Sequence, residues 1–164
     1  IVLLEHYQEK FHKRLSVEEV EEAKTLSPKF DENGLIPCVT TDSVTQEVLM
    51  VGYMNAEALV KTIEVGEAFY YSRSRKEVWH KGQTSGLTQK VKEIRIDDDQ
   101  DSIWISVDVG GSGASCHVGY KSCFYRSIPS KKQINLDLEL KWEEQEKIFD
   151  PKEVYGDTPN PTKL

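Results

Sequence analysis

The stretch that decides the fold reads Gln89-Lys-Val-Lys-Glu-Ile-Arg-Ile96, followed by Asp97-Asp-Asp-Gln-Asp101 and by Ser102-Ile-Trp-Ile-Ser-Val-Asp-Val109. Its last part alternates apolar and polar residues, so every second side chain from Ile103 to Val109 lies on one apolar face, as in a half-buried strand. Its first part predicts another strand, in which Ile94 and Ile96 share a face. The stretch therefore predicts two strands that flank an acidic segment.

The sequence before this stretch predicts a hairpin and a helix. Strand-like runs rich in Val, Leu, Ile and Thr lie at residues 35–41 and 47–53, and a short polar link joins them. Asn55 is expected to cap a helix that runs to about Val65 and ends at Gly66. This hairpin and helix give the predicted sheet two more strands and a helical partner.

The two ends of the chain are expected to be helical. Residues 1–25 and 136–149 carry this prediction, and the proline-containing end of the chain is expected to be an extended tail. Strands outnumber helices, which predicts the α+β class: a small mixed-sheet domain with flanking helices. The predicted parts are an N-terminal helical segment at 1–30, a central domain with the candidate catalytic residues at 31–130, and a C-terminal helix with extended tail at 131–164.

The composition excludes several function classes. The 164 residues include 28 acidic and 21 basic side chains, a net charge of −7 that argues against general nucleic-acid binding. No apolar run approaches the roughly 20 residues that span a bilayer, so no membrane partner is expected. An odd number of cysteines, three, with no export signal at the start, argues against a disulfide framework and predicts a reducing, cytoplasmic location.

The acidic segment is the first candidate site. Four carboxylates crowd into the five residues 97–101 and repel one another unless something neutralises them. In one interpretation the segment is a solvated turn between two strands. In the other it is extended, so that Asp97, Asp99 and Asp101 point one way and offer three hard oxygen ligands, which suits Mg²⁺. Asp98 then points to the opposite side, where it could serve a second metal site.

The second candidate site is Cys116-His-Val-Gly-Tyr-Lys-Ser-Cys123. Two thiols seven positions apart, with a glycine between them, can converge on one metal ion. A site with only two or three protein ligands leaves room for water, which is the catalytic arrangement of zinc. His117, next to the first thiol, is either a hydrogen-bonded loop histidine or a group that moves protons.

A basic, glycine-containing loop is the third candidate. It follows a predicted strand at 68–72, and arginine forks, hydroxyl groups and exposed backbone amides are what a phosphate group needs. An aromatic side chain in this loop could stack on a base, although an exposed cationic loop is the simpler interpretation. The residues concerned are Ser72-Arg-Ser-Arg75, Trp79-His-Lys-Gly82 and Thr84-Ser-Gly86.

Taken together and in this order, the motifs resemble the phosphoribosyl-AMP cyclohydrolases of histidine biosynthesis. The resemblance runs from about Gly34 to Tyr125 and rests on a specific combination. It implies a small α+β fold, an intertwined homodimer with a metal site shared across subunits, and hydrolytic opening of the adenine ring between N1 and C6 of phosphoribosyl-AMP. The motifs are Gly34-Leu-Ile-Pro37, Val48-Leu-Met50, Tyr53-Met-Asn55, Ser72-Arg-Ser-Arg75, Trp79-x-Lys-Gly82, Thr84-Ser-Gly86, residues 97–101, Cys116-His-x-Gly119 and Ser122-Cys-Phe124.

The resemblance also implies roles for single residues. Asp97, Asp99 and Asp101 match the family's magnesium ligands, and Cys116 and Cys123 match two of its zinc ligands. The third zinc ligand of the family is a cysteine donated across the dimer, and this chain has Asp98 at that position. A carboxylate can bind zinc, so a site of two thiolates and one carboxylate is the resulting hypothesis. The alternative is that Asp98 makes a hydrogen bond near the metal, which then takes another water.

The remaining roles follow from the chemistry of the substrate class. His117 is expected to move protons, and Arg73, Arg75 and Lys81 to hold phosphate. Trp79, Thr84 and Ser85 complete the expected substrate site. The chief rival function is a non-catalytic metal-binding paralogue with the same fold, which only Asp98 favours. A zinc deaminase ranks low because its His-x-Glu and Pro-Cys-x-x-Cys motifs are absent from the sequence.

Overall fold

The computed structural model describes residues 7–162 and contains the mixture of strands and helices that the α+β prediction requires. Its helices are short, and its strands form one central sheet and two small ribbons. In chain order, the elements are α1 (Val17–Glu22), β1 (Ile36–Asp42), β2 (Val48–Met54), α2 (Ala56–Val65), β3 (Phe69–Ser72), β4 (Glu77–His80), β5 (Gln89–Ile96), β6 (Ile103–Val109), β7 (Arg126–Ser127), β8 (Lys141–Trp142) and α3 (Pro151–Tyr155).

The central sheet has the order β2-β1-β6-β5 and mixed strand directions. The predicted hairpin is confirmed, since β1 and β2 pair antiparallel with Cys38 opposite Gly52. β5 and β6 also pair antiparallel, with Ile96 opposite Ile103. β1 and β6 run parallel, with Thr40 opposite Ile105, so the chain must cross over between them. That crossover carries α2 and the β3-β4 ribbon.

The core lies on one face of this sheet. Alternate residues of β6 are buried, with Ile105 and Val107 fully so, as the period-two pattern predicts. α2 packs Leu59 onto the same cluster. The predicted helix boundaries are confirmed, because the Asn55 side chain accepts a hydrogen bond from the Ala58 amide at 2.8 Å and Gly66 ends the helix in the left-handed conformation, at φ 78°.

The helical prediction for residues 1–25 is wrong over most of the part that the structure describes. α1 has six residues, begins after the Ser16 cap and ends at Glu22, while residues 11–16 are not helical. This segment is held by distant contacts instead: the ring of Phe11 lies 6.1 Å from that of Phe30, and the Arg14 guanidinium donates to the Asp99 carbonyl. Residues 1–6 lie outside the described part of the chain.

The predicted helix at 136–149 is also wrong. Leu136-Asp-Leu-Glu-Leu-Lys-Trp142 alternates apolar and charged residues, a strand period rather than a helical one, and its end forms β8 against β7. The expected extended tail contains α3, which Asp150 caps by accepting from the Lys152 amide at 2.9 Å. No helix within residues 7–162 is long and apolar enough to cross a membrane.

A buried polar chain ties the crossover to the sheet. The Tyr70 hydroxyl of β3 lies 2.7 Å from the Thr40 hydroxyl and donates to the side-chain amide oxygen (Oε1) of Gln89 at 2.6 Å. Gln89 in turn donates to the Ser115 hydroxyl at 3.2 Å. Tyr70, Thr40 and Gln89 are fully buried, so each polar atom depends on these partners.

We expect Tyr70→Phe to lower the free energy of unfolding by about 1–3 kcal/mol, because it leaves the buried side-chain amide oxygen of Gln89 without a donor. Urea denaturation at a fixed protein concentration measures this as a lower midpoint with an unchanged slope. Tyr71→Phe, at the next position of the same strand, is the control. Equal midpoints for the two variants would contradict the role of the buried chain.

Candidate active site

The acidic segment 97–101 is a turn that links β5 to β6, and the extended interpretation is wrong. The Asp97 carboxylate accepts from the amides of Asp101 and Ser102 at 2.9 and 3.1 Å. The Gln100 amide donates to the Asp97 carbonyl at 3.1 Å, and Gln100 itself has a positive φ of 57°. These hydrogen bonds close the segment on itself, which an extended strand cannot do.

The turn nevertheless brings together the predicted trio of carboxylates. The candidate ligand oxygens of Asp97, Asp99 and Asp101 all lie within 4.8 Å of one another. Hydrogen bonding with Asp97, together with partial burial and a further bond to Asp99, raises the pKa of Asp101. Three hard oxygen donors this close, and repelling one another, are chemically suited to a divalent cation such as Mg²⁺. Asp98 is exposed and lies outside this trio.

The cysteine motif forms a tight loop anchored on the sheet. The Gly119 amide donates to the Cys116 carbonyl at 3.0 Å, and the Cys116 amide donates to the Tyr120 carbonyl at 3.2 Å. Gly119 has a φ of 113°, and a Cβ there would lie 2.5 Å from the Phe149 carbonyl oxygen, so no larger residue fits. The Cys123 amide donates to the Leu49 carbonyl at 2.7 Å, which fixes the second cysteine against β2.

The two thiols of this loop act as a pair. A hydrogen bond from Cys123 lowers the pKa of Cys116 to about 6, and backbone donors and the Lys81 ammonium favour the same thiolate. The same hydrogen bond raises the pKa of Cys123, so the pair favours one thiolate and one thiol. Two neighbouring cysteines, one of them readily ionised, fit two of the ligand positions of a zinc site. In contrast, burial raises the pKa of Cys38 to about 12.

Lys81 lies beside these thiols rather than with the arginines of the basic loop. It is 8% exposed, and its ammonium donates to the Ser115 carbonyl at 3.0 Å. Burial lowers its pKa, while the two cysteines oppose this effect. Ser115 is therefore held at its carbonyl by Lys81 and at its hydroxyl by Gln89, and both contacts fix the start of the cysteine loop.

His117 is half-buried, and the C-terminal tail reaches it. The Thr162 hydroxyl lies 3.5 Å from Nε2 of the ring. Burial lowers the pKa of His117, a hydrogen bond that the ring donates to the Asn160 side chain opposes this, and the Lys81 charge adds to the lowering. The ring is therefore neutral near pH 7 and able to accept a proton.

Another contact that sequence reasoning missed comes from the segment before the tail. The Glu144 carboxylate accepts hydrogen bonds from the backbone amides of Lys121 and Ser122, at 2.9 and 3.0 Å. The Ile148 amide donates to the Gly119 carbonyl at 2.8 Å. These contacts join residues more than 20 positions apart, and no local pattern in the sequence predicts such a pairing.

The basic loop folds as the β3-β4 ribbon and the turns that follow. Arg73 and Arg75 are exposed; the Arg73 guanidinium lies 4.1 Å from the Tyr53 ring centre, and the Arg75 guanidinium 5.7 Å from that of Trp79. Trp79 is half-buried, with its ring 5.2 Å from that of Tyr70. The remaining predicted substrate residues follow β4: Thr84 is exposed, and the Ser85 hydroxyl accepts from the Leu87 amide at 3.2 Å.

Comparison with known proteins decides the family. The sequence family model of the phosphoribosyl-AMP cyclohydrolases matches residues 50–125 of this chain. A phosphoribosyl-AMP cyclohydrolase of Rhodopseudomonas palustris strain BisA53 is 55% identical over 138 residues, which cover 84% of this chain and 92% of the relative. Those of Nitrobacter winogradskyi and Rhizobium leguminosarum bv. trifolii are each 49% identical, covering 85% and 84% of this chain and 94% and 89% of the relatives. The chain belongs to the phosphoribosyl-AMP cyclohydrolase family.

Membership in the phosphoribosyl-AMP cyclohydrolase family confirms the enzyme class that the motifs predicted. The matched region contains every predicted site residue, from Arg73 to Cys123. Glu144 and Asn160 lie outside it, although they contact the cysteine loop and His117. The site of this chain thus combines the core of the cyclohydrolase family with contacts from residues that follow that core.

We expect Cys116 of the metal-free protein to be largely a thiolate at pH 7 and to lose this state as the pH falls through about 6. Cys123→Ala removes the hydrogen-bond donor, so the pKa of Cys116 rises and the thiolate forms only at higher pH. Cys123→Ser keeps an O–H donor and should preserve most of the lowering. The pKa of Cys116 in the wild type and in both variants is measured from the ultraviolet absorbance of the thiolate as a function of pH. Identical curves for the two variants would contradict the role of the hydrogen bond from Cys123.

Proposed function

We propose that this chain is a metal-dependent hydrolase that opens the adenine ring of phosphoribosyl-AMP between N1 and C6, in histidine biosynthesis. The observation that carries the proposal is that two different ligand sets lie in one cyclohydrolase-family chain: two neighbouring thiols, one of which ionises readily, and three converging carboxylates. Soft thiolates favour Zn²⁺, whereas carboxylate oxygens favour Mg²⁺. Its three cysteines are free thiols, as expected for work in the cytoplasm.

The proposed zinc ligands are Cys116 and Cys123 of one copy of the chain and Asp98 of a second copy. Within residues 7–162 of one chain, Asp98 does not join the two cysteines in a common cluster, whereas an exposed carboxylate can be donated to another copy. When bound, zinc supplies a water molecule whose pKa is lowered toward about 7, which can attack C6 of the ring. The Lys81 ammonium favours the thiolate form of the pair and holds the Ser115 carbonyl, so we assign it here rather than to phosphate.

His117 is proposed to carry the protons of the reaction. Ring opening adds water at C6 and breaks the C6–N1 bond, so a proton must leave the attacking water and another must reach the departing nitrogen. A neutral imidazole accepts the first proton and, once charged, donates the second. The burial that lowers the pKa of His117 keeps the ring in the neutral form that this requires.

The substrate site is proposed on the exposed side of the basic loop. The Arg73 and Arg75 side chains are exposed and offer forked donors that match phosphate oxygens. Thr84 and Ser85 add hydroxyl groups, and Trp79 adds an aromatic surface that is partly covered by Tyr70. Mg²⁺ held by Asp97, Asp99 and Asp101 would neutralise further negative charge near this end of the sheet.

A homodimer is part of the proposal because the sheet has a second, partly apolar face. Val39 pairs with Val51 on one side and with Trp104 on the other, on the face opposite the core. Val51, on this face, is 50% exposed. Association of two copies through this face would cover the apolar side chains and could bring Asp98 of one copy toward the thiols of the other.

We expect Cys116→Ala and Cys123→Ala each to abolish ring opening and to lose bound zinc, because each removes one of only two thiolate ligands. Cys38→Ala removes a buried core thiol and should keep both properties. The absorbance change of ring opening with phosphoribosyl-AMP, and elemental analysis of the purified protein, measure the two outcomes. Full activity in the Cys116 variant would refute the zinc assignment, and zinc-loaded wild-type protein without turnover would favour the non-catalytic paralogue.

The assignment of Asp98 has its own test. Asp98→Cys restores the thiolate that the family has at this position and should tighten zinc binding, because a thiolate gives the metal more charge. Asp98→Ala should weaken zinc binding by roughly 10-fold or more. Removal of a residue that merely hydrogen-bonds to a metal ligand already weakens metal binding by about 10-fold, and removal of a ligand should cost at least as much. Competition with a chromogenic chelator measures both affinities. If neither variant differs from wild type, Asp98 is not a zinc ligand.

A further inference from the structure

Gln100 occupies the centre of the acidic turn, yet it is buried. It lies between Asp99 and Asp101, has a φ of 57°, and is 4% exposed, whereas Asp97, Asp98 and Asp99 are exposed. A long polar side chain buried next to three carboxylates must have hydrogen-bond partners of its own. Those partners all lie in the N-terminal segment, which here means residues 14–29.

The Gln100 amide group binds three backbone positions of this segment. Its oxygen accepts from the Ser27 amide at 2.9 Å, and its nitrogen donates to the carbonyls of Val20 and Thr25, at 2.9 and 3.2 Å. Val20 lies in the last turn of α1, where backbone carbonyls lack partners within the helix. One acceptor and two donors are thus all in use. Glutamate has no N–H donor, and asparagine, which has the same amide group, is shorter by one methylene.

Two backbone contacts strengthen the same connection. The Lys29 amide donates to the Gln100 carbonyl at 2.7 Å, and the Arg14 guanidinium donates to the Asp99 carbonyl at 2.6 Å. The N-terminal segment therefore holds the side chain of Gln100 and the main chain of both central residues of the turn. In return, these contacts fix a segment that has little regular secondary structure.

The carboxylates need such a support. Asp97, Asp99 and Asp101 hold like charges within 4.8 Å, and their repulsion favours a backbone that spreads them apart. Water can replace the hydrogen bonds of exposed groups in the turn, but it cannot replace those of the buried Gln100 side-chain amide. Holding the turn in its converged form before a cation binds removes part of the ordering that binding would otherwise require.

We propose that Gln100 is a positioning residue, which fixes the acidic turn for divalent-cation binding by anchoring it in the N-terminal segment. The inference rests on the proposed function of Asp97, Asp99 and Asp101 as cation ligands. It gives residues 14–29, which lie outside residues 50–125 that the family model matches, a role in the affinity of the site. The contact is with the turn and not with the cysteine loop, so once Asp98 is replaced, zinc binding by the cysteine pair is expected to be independent of it.

The test uses Gln100→Gly, because glycine adopts a positive φ readily and the turn loses its anchor without added backbone strain. We expect Mg²⁺ binding, measured by calorimetry on the full chain, to weaken about 10-fold, the usual loss when a residue that orients a ligand is removed. Zinc content is compared in an Asp98→Ala background, where the turn supplies no zinc ligand, and it is expected to be the same with and without Gln100→Gly. Gln46→Gly is the matched control, because Gln46 also has a positive φ, 66°, but is exposed in the turn between β1 and β2.

A second variant covers the case in which Gln100→Gly fails to fold. Arg14→Ala removes a single contact to the Asp99 carbonyl from an exposed side chain, and it should weaken Mg²⁺ binding less but in the same direction. Wild-type affinity in both variants would overturn the inference. Loss of zinc on Gln100→Gly in the Asp98→Ala background would also overturn it, since that indicates general destabilisation. Wild-type protein that binds no Mg²⁺, or that binds it equally well as Asp97→Asn, would overturn the proposed magnesium site and the inference together.

Discussion

The buried hydroxyl of Tyr70 is the contact on which the rest of the structure depends. It is hydrogen-bonded to Thr40 of β1 and to Gln89 of β5. The Gln89 side chain in turn donates a hydrogen bond to Ser115, the residue before Cys116. These polar atoms have no access to water, so the β3 crossover, the sheet and the cysteine loop must adopt one relative position to satisfy them all. The thiol pair is thereby fixed by the core, before any metal is considered.

The two candidate metal sites are supported in different ways. The cysteine loop is held by the sheet from one side, through Ser115 and Leu49, and by Glu144 from the other. The acidic turn lies at the surface and is held through Gln100 by the N-terminal segment. Residues 14–29 and Glu144, which lie in segments with little regular secondary structure, therefore contribute to the geometry of the two candidate sites.

Sequence reasoning succeeded for local structure and failed for long-range structure. Period-two alternation identified β6, and the Asn55 and Gly66 signals gave α2 its boundaries, because these patterns depend on neighbours a few residues away. It failed for the acidic segment, whose hydrogen bonds close a turn, and for residues 136–149, whose charge suggested a helix despite their strand-like alternation. Convergence of the three aspartates was expected from alternation and arises instead from the turn.

By itself, the sequence determined the α+β class, the family and the chemistry of the candidate metal ligands. These follow from residue types and from spacings within short segments, which do not depend on how distant segments pack. Only the tertiary structure decided that Lys81 is buried beside the thiols, that Asn160 and Thr162 reach His117, and that Gln100 anchors the acidic turn. Each of these contacts joins residues far apart in the chain. These pairs form because polar groups that the fold removes from water need hydrogen-bond partners. The two partners lie in different segments, so no single segment of sequence predicts the pair.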